Sequence, residues 1–359
     1  MQTPKTYNII GLMSGTSGDG LDIAYCEFNF NSAWTFHIPK SITVPFPETM
    51  ARNLSGSHLL SGEKLRILDI EFGRWMGEEV NKFCLSYSLS PIAIASHGHT
   101  VFHRPDAKNT LQIGNGWSMH IASGLPVIND FRMLDVQLGG QGAPLVPIGD
   151  KLLFPEYDYC LNLGGIANIS YEENNIRHAF DLCPFNLLLN HFSNKMDLAF
   201  DDGGQLAMQG QINPELLSQL NEIPFYKKTG GKSLGREDIE NDYIPLLEKQ
   251  NSHVTDILAT LVAHYVHQIS KILTHGNQKK LIVTGGGAYN RYFVAELKKE
   301  LSGKVDIIIP DRTIIDFKEA LIFGFLGVLK IRNEINCLSS VTGSSRDNVG
   351  GVIYGDLSM

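Results

Sequence analysis

Residues 11–22, Gly-Leu-Met-Ser-Gly-Thr-Ser-Gly-Asp-Gly-Leu-Asp, place glycines, hydroxyl groups and two carboxylates between two apolar runs, 7–12 and 21–28. Glycines tolerate positive φ and let a backbone approach a ligand closely, and successive N–H groups in such a turn bind anions. The pattern predicts a hairpin that holds the phosphates of a nucleoside triphosphate, with a glycine-rich hairpin without a ligand as the alternative. Asp19 and Asp22 can hold a hydrated Mg²⁺, which they would contact through its bound water molecules. The residues predicted to contact the nucleotide or its metal are Gly15, Thr16, Ser17, Gly18, Asp19, Gly20, Leu21 and Asp22.

Asp181 is the candidate general base. It ends a predicted strand, 176–181, and the tripeptide Leu-Cys-Pro and a predicted helix, 185–192, follow it. A carboxylate at the end of a strand can accept a proton from a water molecule or a hydroxyl group. A helix cap or a purely structural aspartate is the alternative.

Three side chains in the first half of the chain are candidates for binding a polyhydroxyl or carboxylate-bearing ligand. His97 and Thr100 follow the apolar run 91–96, and Arg132 follows another short strand, 126–128. An arginine pairs well with the carboxylate of a ligand, whereas the structural alternative for Arg132 is an ion pair with Asp130 or Asp135. A structural histidine is likewise the alternative for His97.

Gly285, Gly286 and Gly287 lie between a predicted strand, 280–283, and a predicted helix, 290–301. A dinucleotide-binding turn has this setting, but the third glycine of that motif is absent. We therefore favour a turn on which an adenine and a ribose lie flat against the backbone.

A second hairpin resembles the first. Gly164 and Gly165 join the predicted strands 157–163 and 166–171, in the same way that the first glycine-rich turn joins its two apolar runs. The repetition predicts an internal duplication of α/β units.

Strand and helix patterns alternate along the chain, which is typical of an α/β protein. Because 359 residues exceed what one core usually reaches, we predict two domains with a cleft between them. The N-terminal domain is placed at 1–136, with 334–359 as a segment that can return to it, and the C-terminal domain at 137–333. The Gly- and Pro-rich stretch 138–147 is typical of a hinge, and the polar stretch 201–242 of a lid.

Composition narrows the class of protein. The net charge of −8 argues against a nucleic-acid partner, because no excess of basic residues is available to neutralise a phosphate backbone. The five cysteines include no Cys-x-x-Cys pair, which favours reduced thiols in a cytoplasm. The apolar run 320–329 is too short to span a bilayer. We expect a soluble, cytoplasmic protein with a small-molecule substrate, no nucleic acid and no membrane.

Five segments together resemble the bacterial anhydro-N-acetylmuramic acid kinases, which belong to the actin, sugar kinase and Hsp70 superfamily. In chain order they are residues 11–22, 96–105 (Ser-His-Gly-His-Thr-Val-Phe-His-Arg-Pro), 138–147 (Leu-Gly-Gly-Gln-Gly-Ala-Pro-Leu-Val-Pro), 162–170 (Asn-Leu-Gly-Gly-Ile-Ala-Asn-Ile-Ser) and 283–290 (Val-Thr-Gly-Gly-Gly-Ala-Tyr-Asn). The resemblance implies two actin-like ATPase domains of ribonuclease H-like fold, flanking an interdomain cleft and closing on ATP and Mg²⁺. It also implies a homodimer.

The resemblance implies a specific reaction of cell-wall recycling. Water opens the 1,6-anhydro ring at the anomeric carbon while O6 takes the γ-phosphoryl group, which gives N-acetylmuramic acid 6-phosphate. Asp181 matches the aspartate that deprotonates this water. The phosphate turn maps onto residues 15–22, a second phosphate contact onto Gly164 and Gly165, and the adenosine site onto Gly285, Gly286 and Gly287. The sugar contacts fall on His97, Thr100 and Arg132.

The chain departs from this family beside the proposed base. The expected pattern Asp-Thr-Gly-Pro-x-Asn is replaced by Asp-Leu-Cys-Pro-Phe-Asn at 181–186. Bulkier apolar groups beside Asp181 can reshape the sugar pocket or raise the pKa of that carboxyl by desolvation. A diverged ATP-binding paralogue, with altered sugar specificity or a non-catalytic regulatory role, is the alternative function.

Overall fold

The computed structural model describes residues 5–14, 20–228, 231–250, 252–273 and 278–357. The chain forms two compact units. The first comprises Met1–Phe154 and Phe317–Met359, and the second comprises Pro155–Asp316. These compact units are divided at 154/155 and 316/317. The domain boundaries predicted at 136/137 and 333/334 concern folding domains and stay a prediction.

The first unit opens with three consecutive antiparallel strands, and a long helix and further short strands follow. The elements of this part are β1 (Lys5–Ser14), β2 (Gly20–Asn31), β3 (Ala33–Pro45), α1 (Glu48–Ser55), α2 (Gly62–Tyr87), β4 (Ile94–Ser96), β5 (His99–Arg104), β6 (Asn109–Ile113), α3 (Gly116–Ser123), β7 (Val127–Asn129), α4 (Met133–Gln137) and α5 (Val146–Leu153).

The second unit repeats this plan with three antiparallel strands, a group of helices and two more strands. Its elements are β8 (Tyr159–Leu163), β9 (Ile166–Glu173), β10 (Ile176–Pro184), α6 (Asn186–Asn194), α7 (Gln205–Gln209), α8 (Pro214–Asn221), α9 (Arg236–Asp238), α10 (Ile244–Glu248), α11 (Val254–Ile272), β11 (Lys279–Thr284), α12 (Arg291–Glu300) and β12 (Val305–Ile308). The final elements are α13 (Arg312–Ile331), α14 (Ser339–Thr342) and β13 (Val352–Tyr354).

The two main sheets share one strand order. The first is ordered β13-β7-β4-β1-β2-β3 and the second β10-β9-β8-β11-β12. In each, the three leading strands are antiparallel and the next two are parallel to the first strand of the unit. Apart from the edge strand β13, both sheets therefore have the ribonuclease H-like order. The prediction of an α/β fold built from two actin-like units is confirmed, and the shared order agrees with the predicted duplication.

Helices cover both faces of the first sheet. Leu21 and Ile23 of β2 belong to one apolar cluster with Phe72 of α2, whereas Phe28 of the same strand packs on Phe325 of α13 at 5.2 Å between ring centroids. A strand that is buried on both faces reads as a continuous apolar run, as β2 does. At Gly11 an added Cβ would lie 1.9 Å from the Ala320 carbonyl oxygen, so β1 and α13 approach too closely for any other residue.

Helix α2 has the bounds that its spacing predicts. Ser61 caps its first turn by accepting a hydrogen bond from the Lys64 N–H, and Leu68, Phe72 and Met76 are buried at intervals of four residues. Burial of each such side chain contributes about 1.5–3 kcal/mol to stability. This stripe fixes the face that α2 turns to the sheet.

The stretch 201–242 contains several short helices, and Leu216, Leu220 and Leu234 from this stretch are buried in the core of the second unit. Its role as a lid stays a prediction. Its short segments are too brief for the periodicity that marks a long helix. None of the described helices combines the length and hydropathy that crossing a membrane requires.

Candidate functional site

A β-bulge near the end of β10 sets the direction of Asp181. Asp181 is opposite Asn168 of β9, whereas Cys183 is opposite Ala167, so the register shifts between residues 181 and 183. Leu182 and Cys183 are both buried in the core of the second unit, although neighbours in a regular strand point to opposite faces. The two residues that depart from the family pattern therefore pack into the core.

The carboxylate of Asp181 is half-buried and accepts two hydrogen bonds on one oxygen. The Leu234 N–H donates to Oδ2 at 2.9 Å and the Ser233 hydroxyl donates to the same atom at 3.1 Å. Burial raises the pKa of the Asp181 carboxyl, and these two hydrogen bonds offset part of the increase. Because α6 is preceded by Phe185 at its cap position, the alternative of Asp181 as the cap of that helix is wrong.

The glycine turns of the second unit converge around Leu163. The N–H groups of Phe185 and Leu187 donate to the Gly165 carbonyl at 2.8 and 3.2 Å, and the Asn186 N–H donates to the Gly164 carbonyl at 3.2 Å. The carboxamide of Asn186 donates to the Leu163 carbonyl at 3.1 Å. The second hairpin turn is thereby joined to the start of α6, directly after the strand that carries Asp181.

The turn at 285–287 reaches the same place. A Cβ added at Gly285 would lie 2.9 Å from the Leu163 carbonyl carbon, and Gly285 has a φ of +78°, so both space and conformation require glycine there. A Cβ at Gly287 would lie 2.5 Å from the ring of Phe185. At Gly286, by contrast, the nearest atom is the Asn186 amide nitrogen at 3.9 Å, which leaves room for a ligand against the backbone.

The first unit brings His97 and Arg132 together. The guanidinium of Arg132 donates to Nε2 of His97, at 3.1 Å from Nε and 2.8 Å from Nη2, and its Nη1 donates to the Gly142 carbonyl at 2.7 Å. Nδ1 of His97 donates to the Gly98 carbonyl at 2.8 Å. Arg132 thus hydrogen-bonds to His97 and Gly142, rather than to a carboxylate of its own segment as its structural alternative supposed.

Burial and the neighbouring Arg132 cation hold the pKa of His97 well below its usual range, so this imidazole is neutral. Burial also lowers the pKa of Arg132 to about 10, which leaves the guanidinium charged at neutral pH. The pair therefore presents one positive charge, which suits an anionic or polyhydroxyl ligand.

Thr100 lies apart from this pair in its contacts. It is on β5, in the small sheet with β6, and its hydroxyl accepts a hydrogen bond from the Gln112 carboxamide at 3.4 Å. The two nearby histidines have partners of their own, since His99 contacts Ser14 at 3.2 Å and His103 contacts Thr110 at 3.1 Å. The three histidines thus serve three different local networks.

The phosphate hairpin is described only in part. Gly15, Thr16, Ser17, Gly18 and Asp19 lie outside the described residues. Gly20 sits so close to β3 that a Cβ would lie 2.5 Å from the Val44 carbonyl oxygen, and Leu21 is fully buried. Asp22 accepts a hydrogen bond on Oδ1 from the Thr43 hydroxyl at 2.6 Å.

Sequence reasoning missed Ser233, Leu234 and Glu319. Glu319 lies within electrostatic range of both Asp22 and Arg132, and burial raises the pKa of its carboxyl. The charged pair at 318–319, directly before the apolar run 320–329, was the signal that could have identified it. Carboxylate oxygens such as those of Asp22 and Glu319 are the ligand type that Mg²⁺ prefers, but the described residues contain no group of three or more potential ligands that could hold a metal ion.

Comparison with known proteins matches the chain along almost its whole length. A family model described as anhydro-N-acetylmuramic acid kinase matches residues 7–356. A protein of that name from Sulfurimonas denitrificans is 32% identical over 96% of this chain and 98% of its own length. Proteins of the same name from Shewanella sediminis and Legionella pneumophila (strain Philadelphia 1) are each 33% identical, covering 98% and 96% of this chain and 99% and 97% of their own lengths.

Proposed function

Because the chain belongs to the anhydro-N-acetylmuramic acid kinase family, we propose that it opens 1,6-anhydro-N-acetylmuramic acid with water and phosphorylates O6 at the expense of ATP. The membership confirms the predicted family and the predicted class of enzyme, an ATP-using sugar kinase. The alternative of a non-catalytic paralogue is not favoured. The product is N-acetylmuramic acid 6-phosphate, an intermediate of cell-wall recycling.

The environment of Asp181 is the observation that supports this proposal most directly. A half-buried carboxylate with a raised pKa lies near the end of β10, four residues before Phe185, where the segment that binds Gly164 and Gly165 begins. A general base works best when its pKa approaches the operating pH, and burial shifts the carboxyl in that direction. The two substitutions beside it leave this arrangement in place because both side chains enter the core.

The proposed reaction forms three bonds and breaks three. Asp181 takes a proton from water, the water oxygen bonds to the anomeric carbon, and the bond from that carbon to O6 breaks. The released O6 bonds to the γ-phosphorus of ATP, and the bond to the β-phosphate oxygen breaks to leave ADP. Acetal cleavage needs a positioned carboxylate, and phosphoryl transfer needs mainly alignment and charge neutralisation.

We assign the nucleotide to the glycine turns. The open face at Gly286 and the turn at Gly164 and Gly165 would approach the adenosine and a phosphate, and Gly285 and Gly287 would hold that turn in shape. Residues 15–22 would contact the remaining phosphates. Mg²⁺, when bound, neutralises phosphate charge, and Asp19 and Asp22 would hold it through water.

We assign the sugar to the first unit. Arg132, which stays charged beside a neutral His97, would meet the lactyl carboxylate or its surroundings. Thr100 would supply a hydroxyl contact from β5. The free thiols of the cysteines support a cytoplasmic location. The homodimer is a further proposal, which sedimentation velocity tests.

Isotope labelling tests the reaction. The purified protein is incubated with ATP, Mg²⁺ and the anhydro sugar in H₂¹⁸O, quenched early, and examined by ³¹P NMR and mass spectrometry. We expect one sugar 6-phosphate per ADP, with a single ¹⁸O at the anomeric carbon and none in the phosphoryl group. A phosphorylated sugar that keeps its anhydro ring, or ADP formed without sugar phosphate, would contradict the proposal.

A glycine substitution tests the nucleotide assignment. Gly286→Ala fills the open space at the turn, so we expect the KM for ATP to rise about tenfold, a loss of about 1.4 kcal/mol of binding, with the KM for the sugar unchanged. Gly62→Ala is the matched control, because nothing lies within 4 Å of a Cβ added there. An unchanged KM for ATP would remove Gly286 from the nucleotide site.

A further inference from the structure

We propose that residues 232–234 form a clamp that positions the catalytic carboxylate, holding Oδ2 of Asp181 so that Oδ1 takes the proton from the attacking water. This proposal rests on the proposed function of Asp181. Residues 232–234 are called the clamp below. They act on the reaction through Asp181 and are therefore positioning residues.

Three hydrogen bonds join the clamp to Asp181. The Ser233 hydroxyl and the Leu234 N–H both donate to Oδ2, and in the opposite direction the Asp181 N–H donates to the Lys232 carbonyl at 2.9 Å. The backbone and the carboxylate are thus tied to one segment at once. Two donors on one oxygen fix the rotation of the carboxyl group, which a base needs to meet a water molecule in a single geometry.

Side-chain packing anchors the clamp. The ammonium group of Lys232 lies 4.6 Å from the ring centroid of Phe225 and 5.6 Å from that of Tyr226, a cation–π arrangement on two rings. Leu234, at the other end of the clamp, is buried in the core of the second unit. Exposed Ser233 lies between these two anchors, so its hydroxyl is held towards Asp181 from both sides.

A buried series of hydrogen bonds holds Tyr226, one of the two rings that Lys232 contacts. The Tyr243 hydroxyl donates to the Tyr226 hydroxyl at 2.9 Å, and Tyr226 contacts Nε2 of His264 at 2.8 Å. Nδ1 of His264 contacts the Asn221 carboxamide oxygen at 2.8 Å, and Gln268 donates to that same oxygen at 2.8 Å. Burial lowers the pKa of His264 to about 3, so its neutral ring can accept from Tyr226 and donate to Asn221. This series of hydrogen bonds fixes the position of the Tyr226 ring, which Lys232 contacts.

Burial shifts the pKa of several titratable groups near Asp181. Burial raises the pKa of the Cys183 thiol and of the Tyr226 and Tyr243 hydroxyls, so all three are neutral. Burial lowers the pKa of Lys232, which faces Cys183. Since a hydrogen bond to a carboxylate stabilises its charged form, removal of the Ser233 hydroxyl moves the pKa of Asp181 further upwards.

Substitution of Ser233 is the direct test. For Ser233→Ala we expect kcat to fall about tenfold, the KM for ATP to stay within about twofold, and the acidic limb of the pH profile of kcat to move to higher pH. Ser233→Thr keeps the hydroxyl and should restore most of the activity and the original limb. Ser218→Ala, at an exposed serine of α8, is the matched control with unchanged kcat. A Ser233→Ala enzyme with the kcat and pH profile of the unsubstituted protein would overturn the clamp.

Lys232→Met tests the anchor while keeping the length of the side chain. The loss of the cation–π contact should lower kcat about threefold and leave the midpoint of thermal unfolding nearly unchanged, because Lys232 is half-buried. A fall in the unfolding midpoint with no fall in kcat would assign Lys232 to stability and overturn its part in the clamp.

A titration without turnover separates the clamp from the proposed function. In protein labelled with ¹³C at the aspartate carboxyl carbons, the resonance missing from Asp181→Asn identifies Asp181, and its pKa is followed by NMR. We expect a higher pKa in Ser233→Ala than in the unsubstituted protein. If the unsubstituted protein is inactive on the anhydro sugar, the proposed function fails while this shift still tests the clamp; an active protein with equal pKa values in both forms contradicts the clamp alone.

Discussion

Each of the two units contains a carboxylate held by several donors, and the two carboxylates differ in what their surroundings do to them. Asp135 of α4 is fully buried, and its Oδ1 accepts from Cys337, Thr342 and Asn348 at 3.1, 2.9 and 2.9 Å. Its Oδ2 accepts from the Gly142 N–H at 2.8 Å. Asp181 of β10 is half-buried and has two donors, both on one oxygen.

The pKa of the two groups moves in opposite directions. Burial raises the pKa of Asp135, but its four or more donors reverse the effect and the net shift is downwards. At Asp181 burial prevails and the net shift is upwards. A carboxylate with several donors on both oxygens together is held as a structural anion, whereas one whose donors all contact a single oxygen can accept a proton on the other. The comparison therefore predicts a structural role for Asp135 and supports the proposed role of Asp181 as the base.

The largest expected effect is on turnover. Asp181→Asn removes the proposed base but keeps the shape of the side chain, so kcat should fall about 10³-fold, within the range that general bases contribute. The KM values and the midpoint of thermal unfolding should change little, and a coupled assay of ADP release with a thermal melt measures both. Retention of more than a tenth of the activity would remove Asp181 from its role.

Asp135→Asn should give the opposite result. The amide has a smaller capacity to accept hydrogen bonds, and its NH₂ group faces donors, so we expect the free energy of unfolding to fall by about 3 kcal/mol. The kcat of the protein that remains folded should change less than twofold. Urea unfolding followed by circular dichroism measures the loss, and a large fall in kcat at unchanged stability would break the comparison.

Removal of a single donor to Asp135 should have a smaller effect. Thr342→Val keeps the shape of the side chain and deletes the hydroxyl that donates to Oδ1, so about 1 kcal/mol of unfolding free energy should be lost. Ser233→Ala is the counterpart at Asp181, and there the loss should fall on kcat instead. If both variants changed the same quantity, the distinction between the two carboxylates would be lost.

The smallest effect concerns the pH dependence of stability. The pKa of Asp181 is higher in the folded than in the unfolded protein. Its stabilising contribution is therefore fully present below the unfolded pKa of 3.8 and is lost as the pH rises through the folded pKa. Asp181→Asn should therefore be more stable than the unsubstituted protein at pH 7, by well under about 1 kcal/mol, and equal to it below the unfolded pKa.

For Asp135 the sign is reversed. Its lowered pKa gives a contribution that is present above 3.8 and lost as the pH falls through the folded value, so the penalty of Asp135→Asn should shrink only in that acidic range. Thermal melts of both variants between pH 3 and pH 7 measure the two trends. Parallel curves for the two variants would contradict the assignment.

Much of the fold follows from local patterns in the sequence. Helix α2 has the predicted bounds, and the strands of both hairpins lie where the apolar runs place them, because each pattern reflects burial of a nearby face. The helices within the stretch 201–242 were not predicted, since they are too short for a periodic signal. The choice of Asp181 needed only a strand end and an acidic residue.

The sequence by itself determined the family, the duplicated α/β plan and the identity of the candidate base, because glycine turns and apolar spacing are local properties of the chain. The tertiary structure decided how that base is held. Ser233 and Leu234 lie more than fifty residues from Asp181 in the chain, and the bulge that turns Leu182 and Cys183 into the core is a matter of pairing between strands. Hydrogen bonds and desolvation depend on neighbours in space, so the upward shift of the Asp181 pKa arises only once the chain has folded.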